Sequence, residues 1–269
     1  MSTTIGAMAD ESVRYEVRPF PKIRRAYVDV LREGHRRHII HGLVEVDVSK
    51  ARRAIRGAAE NPSPLSLTGF IVGCVAKAVD ENKMLHAHRW GRRRLVLFDD
   101  VDVNLQLEQV EEDGTRIVQS RIVRAANRRR VEEISAEIRQ AQRIGDADRR
   151  RLRRTLWFVT LPGFVRRLIW RAVMTRPWWT KRFGGTVAVS SVGMFGTSLG
   201  WGIPITPAPL MVTVGGIGLR PVVVGDRVEN REHLSFTISV DHDIVDGAPA
   251  ARFVERVRQL IEDGYGLKP

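Results

Sequence analysis

A mixed sheet with helices packed on it, an α/β (α+β) architecture, is the fold class that this 269-residue sequence predicts. Leu234 to Val240 alternates apolar and hydroxyl residues, which marks a half-buried strand. Ser66 to Asp80 is apolar nearly all round, a pattern that suits a helix only when it is buried. Strand and helix segments then follow one another without a strict βαβ rhythm, so a purely parallel sheet is not expected. At 43% hydrophobic the chain can fill a large core. Its length permits one large domain or two small ones, and no break in composition forces two.

Residues 1–17 are polar and aperiodic and read as a disordered tail ahead of a single domain over 18–269. Pro21 opens a helix to Arg32, with Ile23, Ala26, Tyr27, Val30 and Leu31 on its apolar side. A strand over His38 to Val48 follows, then a helix whose first turn Ser49 can cap. Asn61-Pro62-Ser63-Pro64 punctuates the chain before the buried helix. Strands are predicted over Arg94 to Phe98, Asp102 to Gln109 and Arg116 to Ile122, the last two joined by the turn Glu111 to Gly114. A helix from Arg128 to Arg143 precedes a basic segment at about 145–183. Further strands alternate with Gly- and Pro-rich loops until Gly247 opens a final helix. Its Ala250, Phe253, Val257, Leu260 and Ile261 share one face.

Charge is distributed unevenly. The formal net charge is +13, and Arg121 to Arg182, with 18 basic and 5 acidic residues, accounts for all of it. The remainder is neutral, so an anionic partner is expected at this one segment. Within 149–183, Leu152, Leu156, Trp157, Phe164, Leu168, Ile169, Trp170, Trp178 and Trp179 alternate with arginines, and Pro162-Gly163 and Pro177 interrupt them. The pattern is an amphipathic helical hairpin with arginine margins. Three uses compete: lying in an anionic membrane interface, docking an acidic protein or covering the active site, and packing between subunits. Nucleic acid is not expected, because the aromatic residues recur at helical spacing and not on an exposed sheet.

The stretch Asp241-His242-Asp243-Ile244-Val245-Asp246-Gly247 sits between the last strand and the last helix. It resembles the Asp-His-Arg-x-x-Asp-Gly signature of the acyltransferase component of 2-oxoacid dehydrogenase complexes, whose fold is shared with chloramphenicol acetyltransferase. Gly185 to Gly196 is similar to that family's Gly-Thr-Phe-Thr-Ile-Ser-Asn-Leu-Gly-Met-Phe-Gly strand, and Ala208 to Val223 to the strand and turn after it. The resemblance implies a chloramphenicol acetyltransferase-like mixed sheet flanked by helices, to which the basic hairpin is an addition. It also implies a coenzyme-A-dependent acyltransferase working through a ternary complex, with His242 taking the proton of a thiol. An imidazole near its ordinary value of ~6.5 is mostly neutral at pH 7 and can accept that proton. Ser190 would be the oxyanion donor, with Ser191 its competitor, since adjacent strand residues face opposite sides. Asp246 would be structural, paired with Arg24. Asp243 departs from the signature's arginine.

By the same resemblance the active site lies between subunits of a homotrimer. The acceptor would be dihydrolipoamide on a lipoylated protein or another thiol. The chain contains no lipoyl attachment domain, and its end lacks the leucine-rich tail of larger hollow cores, so a trimer alone is expected. No metal is expected: the Asp241, Asp243, Asp246 cluster departs from a calcium loop at the glycine and at Arg252. Gly196 to Gly200 matches a GxSxG elbow, but the prolines that follow forbid its helix. The lone Cys74 lies in an apolar run and reads as buried. Without a bilayer-length apolar run or a signal-like N-terminus, a cytoplasmic protein is expected, peripheral at the membrane if the hairpin binds lipid. The rival reading is a non-catalytic trimeric scaffold or adaptor whose working surface is that hairpin.

Overall fold

The computed structural model describes residues 15–58, 64–110, 116–141, 153–191 and 198–267. Six strands form one mixed sheet in the order β1, β8, β7, β6, β4, β5. These are β1 (Ile39–Asp47), β4 (Val103–Val110), β5 (Arg116–Val123), β6 (Val187–Ser191), β7 (Leu210–Val224) and β8 (Arg227–Asp241). β6 runs parallel to both β4 and β7, and the other pairings are antiparallel. A separate hairpin of β2 (His88–Trp90) and β3 (Arg94–Val96) stands beside it. The sequence pattern located β3 but missed β2, whose three residues are too few for a period to register.

One sheet face carries Val103, Leu105, Val187, Val189, Val212, Val214, Phe236, Ile238 and Val240, all in the hydrophobic core. Helices α2 (Ser49–Gly57), α3 (Leu67–Glu81), α4 (Val131–Ala141) and α7 (Gly247–Asp263) contribute the other half. As its composition predicts, α3 is buried from Gly69 to Ala76 without interruption. Ser66 caps it, its hydroxyl accepting from the Gly69 N–H at 3.0 Å.

Three details differ from expectation. Ser49 does not cap α2; Asp47 Oδ1 accepts the Ser49 N–H, and the Ser49 hydroxyl accepts from Glu232 N in β8. β8 is not half-buried, for every residue from Leu234 to Asp241 is buried, the hydroxyl-bearing ones included. And α1 (Lys22–Gly34) is not seated by its apolar stripe, since Tyr27 and Leu31 are exposed. Its most deeply buried side chain is Asp29, which receives Arg166 from α5 (Gly163–Met174). The basic hairpin is helical as predicted: residues 153–158, α5 and α6 (Pro177–Gly184). The predicted tail falls largely outside the described residues, as do the turn at 111–114 and the GxSxG stretch up to Thr197.

Close approach matters at one place. β7 bulges between Val214 and Ile217, where Gly215 and Gly216 stand. A Cβ on either would collide with the backbone carbonyls of Gly200 or Ser198, and Gly216 N donates to Gly200 O at 3.2 Å. Two glycines thus let the 198–206 segment lie on the sheet.

Candidate active site

β8 ends at Asp241, and the backbone itself winds the turn that follows. Ile244 N and Val245 N both donate to Asp241 O at 3.0 Å, and His242 N donates to His38 O at 2.7 Å, which ties the turn to the start of β1. The Asp241 carboxylate is buried under the Arg37 guanidinium and also accepts the Asp243 N–H at 3.1 Å. A buried carboxylate needs such a partner, because desolvation of an unpaired charge costs several kcal/mol. Buried Val245 fixes the far side of the turn.

His242 Nδ1 lies 2.9 Å from Val245 O. A carbonyl can only accept, so Nδ1 carries the proton and the lone pair of the neutral ring is on Nε2. The side chain is 43% exposed, which leaves that second nitrogen open to an incoming group. The turn therefore selects one tautomer without a carboxylate partner. Asp241 takes no part in orienting the ring, as strand geometry predicts for an adjacent residue.

Asp243 is clasped from two sides. Its Oδ1 receives His38 Nδ1 at 2.9 Å and its Oδ2 receives Arg89 Nη1, from β2, at 2.6 Å. The hydrogen bond from His38, and then the positive charges of His38 and Arg89, hold its carboxyl below the usual carboxylate range. The charge that departs from the family signature is thus matched locally.

The expected Arg24–Asp246 pair is not formed within this protomer. Asp246, at the N-cap of α7, has its side chain 90% exposed and stands 4.0 Å from His242 Nδ1, beyond hydrogen-bonding distance. Arg24 lies on α1 with its guanidinium over the Tyr27 ring. The buried pair joining the N-terminal part of the chain to the signature is instead Arg37–Asp241. Arg37 follows α1 directly and reaches β8 because β1 pairs with β8 from Ile39 opposite Asp241 onward.

Register separates the two candidate serines. Ser191 pairs with Val214, which pairs with Phe236, so it shares the core face. Ser190 pairs with Gln106 and Thr213, and Thr213 pairs with Thr237. It therefore belongs to the opposite face, with Thr237, Ser239 and Asp241. Its hydroxyl is half-buried and makes no hydrogen bond among the described residues. Thr213, Ser235 and Thr237 are buried there with hydroxyls that have no partner among those residues, while the Ser239 hydroxyl is bonded to His41 Nδ1 at 2.8 Å. This polar face was missed as a feature, although the alternating Ser235, Thr237 and Ser239 were its visible trace.

Two further histidines went unnoticed in the sequence. His86 is buried between the Thr186 hydroxyl and Phe98 O, and burial pushes its pKa down to about 4. His88 donates from Nδ1 to His86 O, and burial, followed by the charge of Arg37, pushes it down to about 3. Both are neutral parts of the framework. Cys74 is buried, and desolvation raises its thiol pKa, as suits a packing residue. Among the described residues no group of three or more His, Cys, Asp or Glu is placed to hold a metal ion, and no helix is long and apolar enough to cross a membrane.

Residues 172–267 match the family model of the 2-oxoacid dehydrogenases acyltransferase catalytic domain. The human dihydrolipoyllysine-residue succinyltransferase component of the 2-oxoglutarate dehydrogenase complex is 34% identical over 80 residues, 30% of this chain and 18% of that protein. The acetyltransferase component of the pyruvate dehydrogenase complex of Rickettsia prowazekii is 25% identical over 74% of this chain and 41% of that protein. The chain therefore spans well under two thirds of the curated relatives it matches. Among solved structures, a probable dihydrolipoamide acetyltransferase of Listeria monocytogenes superposes with a TM-score of 0.70 at 20% identity, covering 93% of this chain and 95% of that one. The dihydrolipoamide acetyltransferase of Azotobacter vinelandii, studied for the catalytic roles of a serine, a histidine and an asparagine, gives 0.71 at 17% identity and 98% coverage of each. Residues 172–267 thus resemble the catalytic domain of 2-oxoacid dehydrogenase acyltransferases, and the chain as a whole has the fold of dihydrolipoamide acetyltransferase cores.

Proposed function

We propose that this chain transfers an acyl group between acyl-coenzyme A and a thiol such as dihydrolipoamide, in a ternary complex and without an acyl-enzyme. The observation that carries the reading is the His242 ring held through Nδ1 on Val245 O, because it leaves Nε2 as a base. In the direction from coenzyme A, Nε2 removes the proton of the acceptor thiol. The thiolate attacks the thioester carbonyl, forming one C–S bond and placing a negative charge on the oxygen. The Ser190 hydroxyl donates a hydrogen bond to that oxygen. Collapse breaks the C–S bond to coenzyme A, whose sulfur takes the proton back from His242.

Spacing along the chain supports these assignments. The serine and histidine named for the Azotobacter enzyme are separated in sequence as Ser190 and His242 are, and its asparagine follows that histidine at the interval at which Asp246 follows His242. Ser191 lies one place out of step. Asp246 thus belongs beside the reacting groups, as an exposed carboxylate at the mouth of the site. Ser190 and His242 make no hydrogen bond to each other in the protomer, which suits a homotrimer in which one subunit supplies the histidine and the next the serine. The lipoyl group would come from another domain or protein.

The scaffold reading has two supports, the charge reversal at Asp243 and the enlarged hairpin, and the contacts of Asp243 with Arg89 and His38 weaken the first only. The deciding experiment measures acetyl transfer from acetyl-coenzyme A to dihydrolipoamide by the purified full chain. His242→Ala should abolish it, and Ser190→Ala should lower kcat by about a hundred- to a thousandfold, the loss typical of one oxyanion donor. Undiminished transfer by His242→Ala would overturn the mechanism, and an inactive but trimeric wild type would restore the scaffold.

A further inference from the structure

The segment 149–182 contains eleven Lys or Arg and no Asp or Glu. Its described part is a helical hairpin held to the body by two inward charges, Arg166 of α5 on Asp29 and Lys181 of α6 on Asp102 at 3.4 Å. From α5, Arg166 Nε donates to Asp29 at 2.7 Å, and its Nη1 donates to Leu161 O at 2.8 Å and Val159 O at 3.3 Å. On a helix of 3.6 residues per turn, positions 164, 168 and 171 lie opposite 166. Those positions are Phe164, 66% exposed, Leu168, 70% exposed, and Arg171, also exposed. The helical residues before α5 add Trp157, 68% exposed, and α6 adds Trp178, Trp179 and Phe183. Arg153, Arg154, Arg167 and Arg171 have no ion pair among the described residues.

An apolar crest flanked by unpaired arginines needs a cover that is anionic and can also accept hydrocarbon. We propose that this hairpin docks the protein on an anionic lipid surface, with Phe164, Leu168 and Trp157 entering the headgroup boundary and the arginines pairing with lipid phosphates. The proposal does not depend on the catalytic reading. α5 and α6, of 12 and 8 residues, are far shorter than the ~20 residues that span a bilayer, so they would lie in its plane. Two copies of the face would not serve as each other's cover, because neither contributes an acidic residue to the other's cations. A nucleic acid would leave Phe164 and Leu168 without a role.

The experiment is flotation of the full chain with vesicles of phosphatidylcholine alone and of phosphatidylcholine mixed with phosphatidylglycerol. Binding to the mixed vesicles only is expected, weakening as salt shortens the screening length from ~10 Å at 0.1 M to ~3 Å at 1 M. Phe164→Ser with Leu168→Ser should lower the bound fraction roughly tenfold or more, since both side chains lose their burial in the lipid. Both positions are exposed, so the thermal midpoint should not move. Arg167→Glu with Arg171→Glu should reduce binding as well. The proposal is overturned if the wild type fails to float at low salt, or if the serine double variant floats as well as the wild type. It is also overturned if the serine double variant changes the oligomeric state of the vesicle-free protein, which would mean that another copy covers the crest.

Discussion

The turn from β8 to α7 and the hairpin at 153–184 are both rich in charge, yet they use it in opposite directions. At the turn each carboxylate of the motif that is held within the fold has a cation: Asp241 has Arg37, and Asp243 has Arg89 together with a hydrogen bond to the His38 ring. At the hairpin Arg166 has the buried acid Asp29 and Lys181 has the buried Asp102, while Arg153, Arg154, Arg167 and Arg171 have none among the described residues. The difference teaches that an arginine is a clamp or a docking group according to whether an acid lies within reach, and that residue type alone does not decide it. The turn is therefore cross-linked on every side around His242, and the hairpin is tied through Asp29 and Asp102 with its outer arginines open.

That contrast can be broken most forcefully at the two inward pairs. Arg37→Ala and Arg166→Ala each leave a buried aspartate short of its main partner, and each should cost on the order of 3 to 5 kcal/mol in chemical denaturation. Loss of well under 1 kcal/mol at Arg166 would show that the hairpin is not anchored through Asp29. Substituting Arg167 or Arg171 by alanine should change stability by less than ~0.5 kcal/mol, because neither is paired.

Acid sharpens the comparison next. His86 and His88 have folded-state values of about 4 and about 3, below the ordinary 6.5, so the unfolded chain binds more protons in that interval. Their contribution is complete above pH ~6.5 and declines as pH falls toward the folded values, by up to ~1.4 kcal/mol per pH unit for each histidine. Denaturation midpoints between pH 7 and 4 would measure this, and a His88→Asn variant should flatten the slope. A slope unchanged in that variant would remove His88 as its source.

The smallest effects on stability are expected within the motif itself. Asp243→Asn retains the shape but loses the charge opposite His38 and Arg89, so it should lower kcat by about tenfold through a looser His242, with at most ~1 kcal/mol of stability lost at this partly exposed site. A conservative Asp243→Glu should recover part of the rate, and equal rates in all three proteins would deny Asp243 a positioning role. Asp246→Ala should alter stability by less than ~0.5 kcal/mol, because the carboxylate is exposed and unpaired with Arg24. A loss of several kcal/mol would reinstate the buried pair that the sequence suggested.

Much of this was legible beforehand. The all-round apolar α3, the β8 strand and the α7 helix with its Ala250, Phe253, Val257, Leu260 and Ile261 face followed from periodicity, which is a property of neighbours in the chain. The motif singled out His242, and the pattern around Gly193 singled out Ser190, as the candidates that the proposed function uses. β2 was not, being only three residues long, nor were the buried His86 and His88, whose neutrality comes from packing against distant segments.

By itself the sequence determined the mixed α/β class, the strand, turn and helix that present His242, and the concentration of positive charge in one hairpin, because each is written in local period, motif or composition. Only the tertiary structure decided that Asp241 takes Arg37, 204 positions away, that Asp246 faces solvent, and that Ser190 and Ser191 belong to opposite faces. The physical reason is that pairing and facing depend on strand register across the sheet, and register is fixed by burial of the whole core, which no window of neighbouring residues contains.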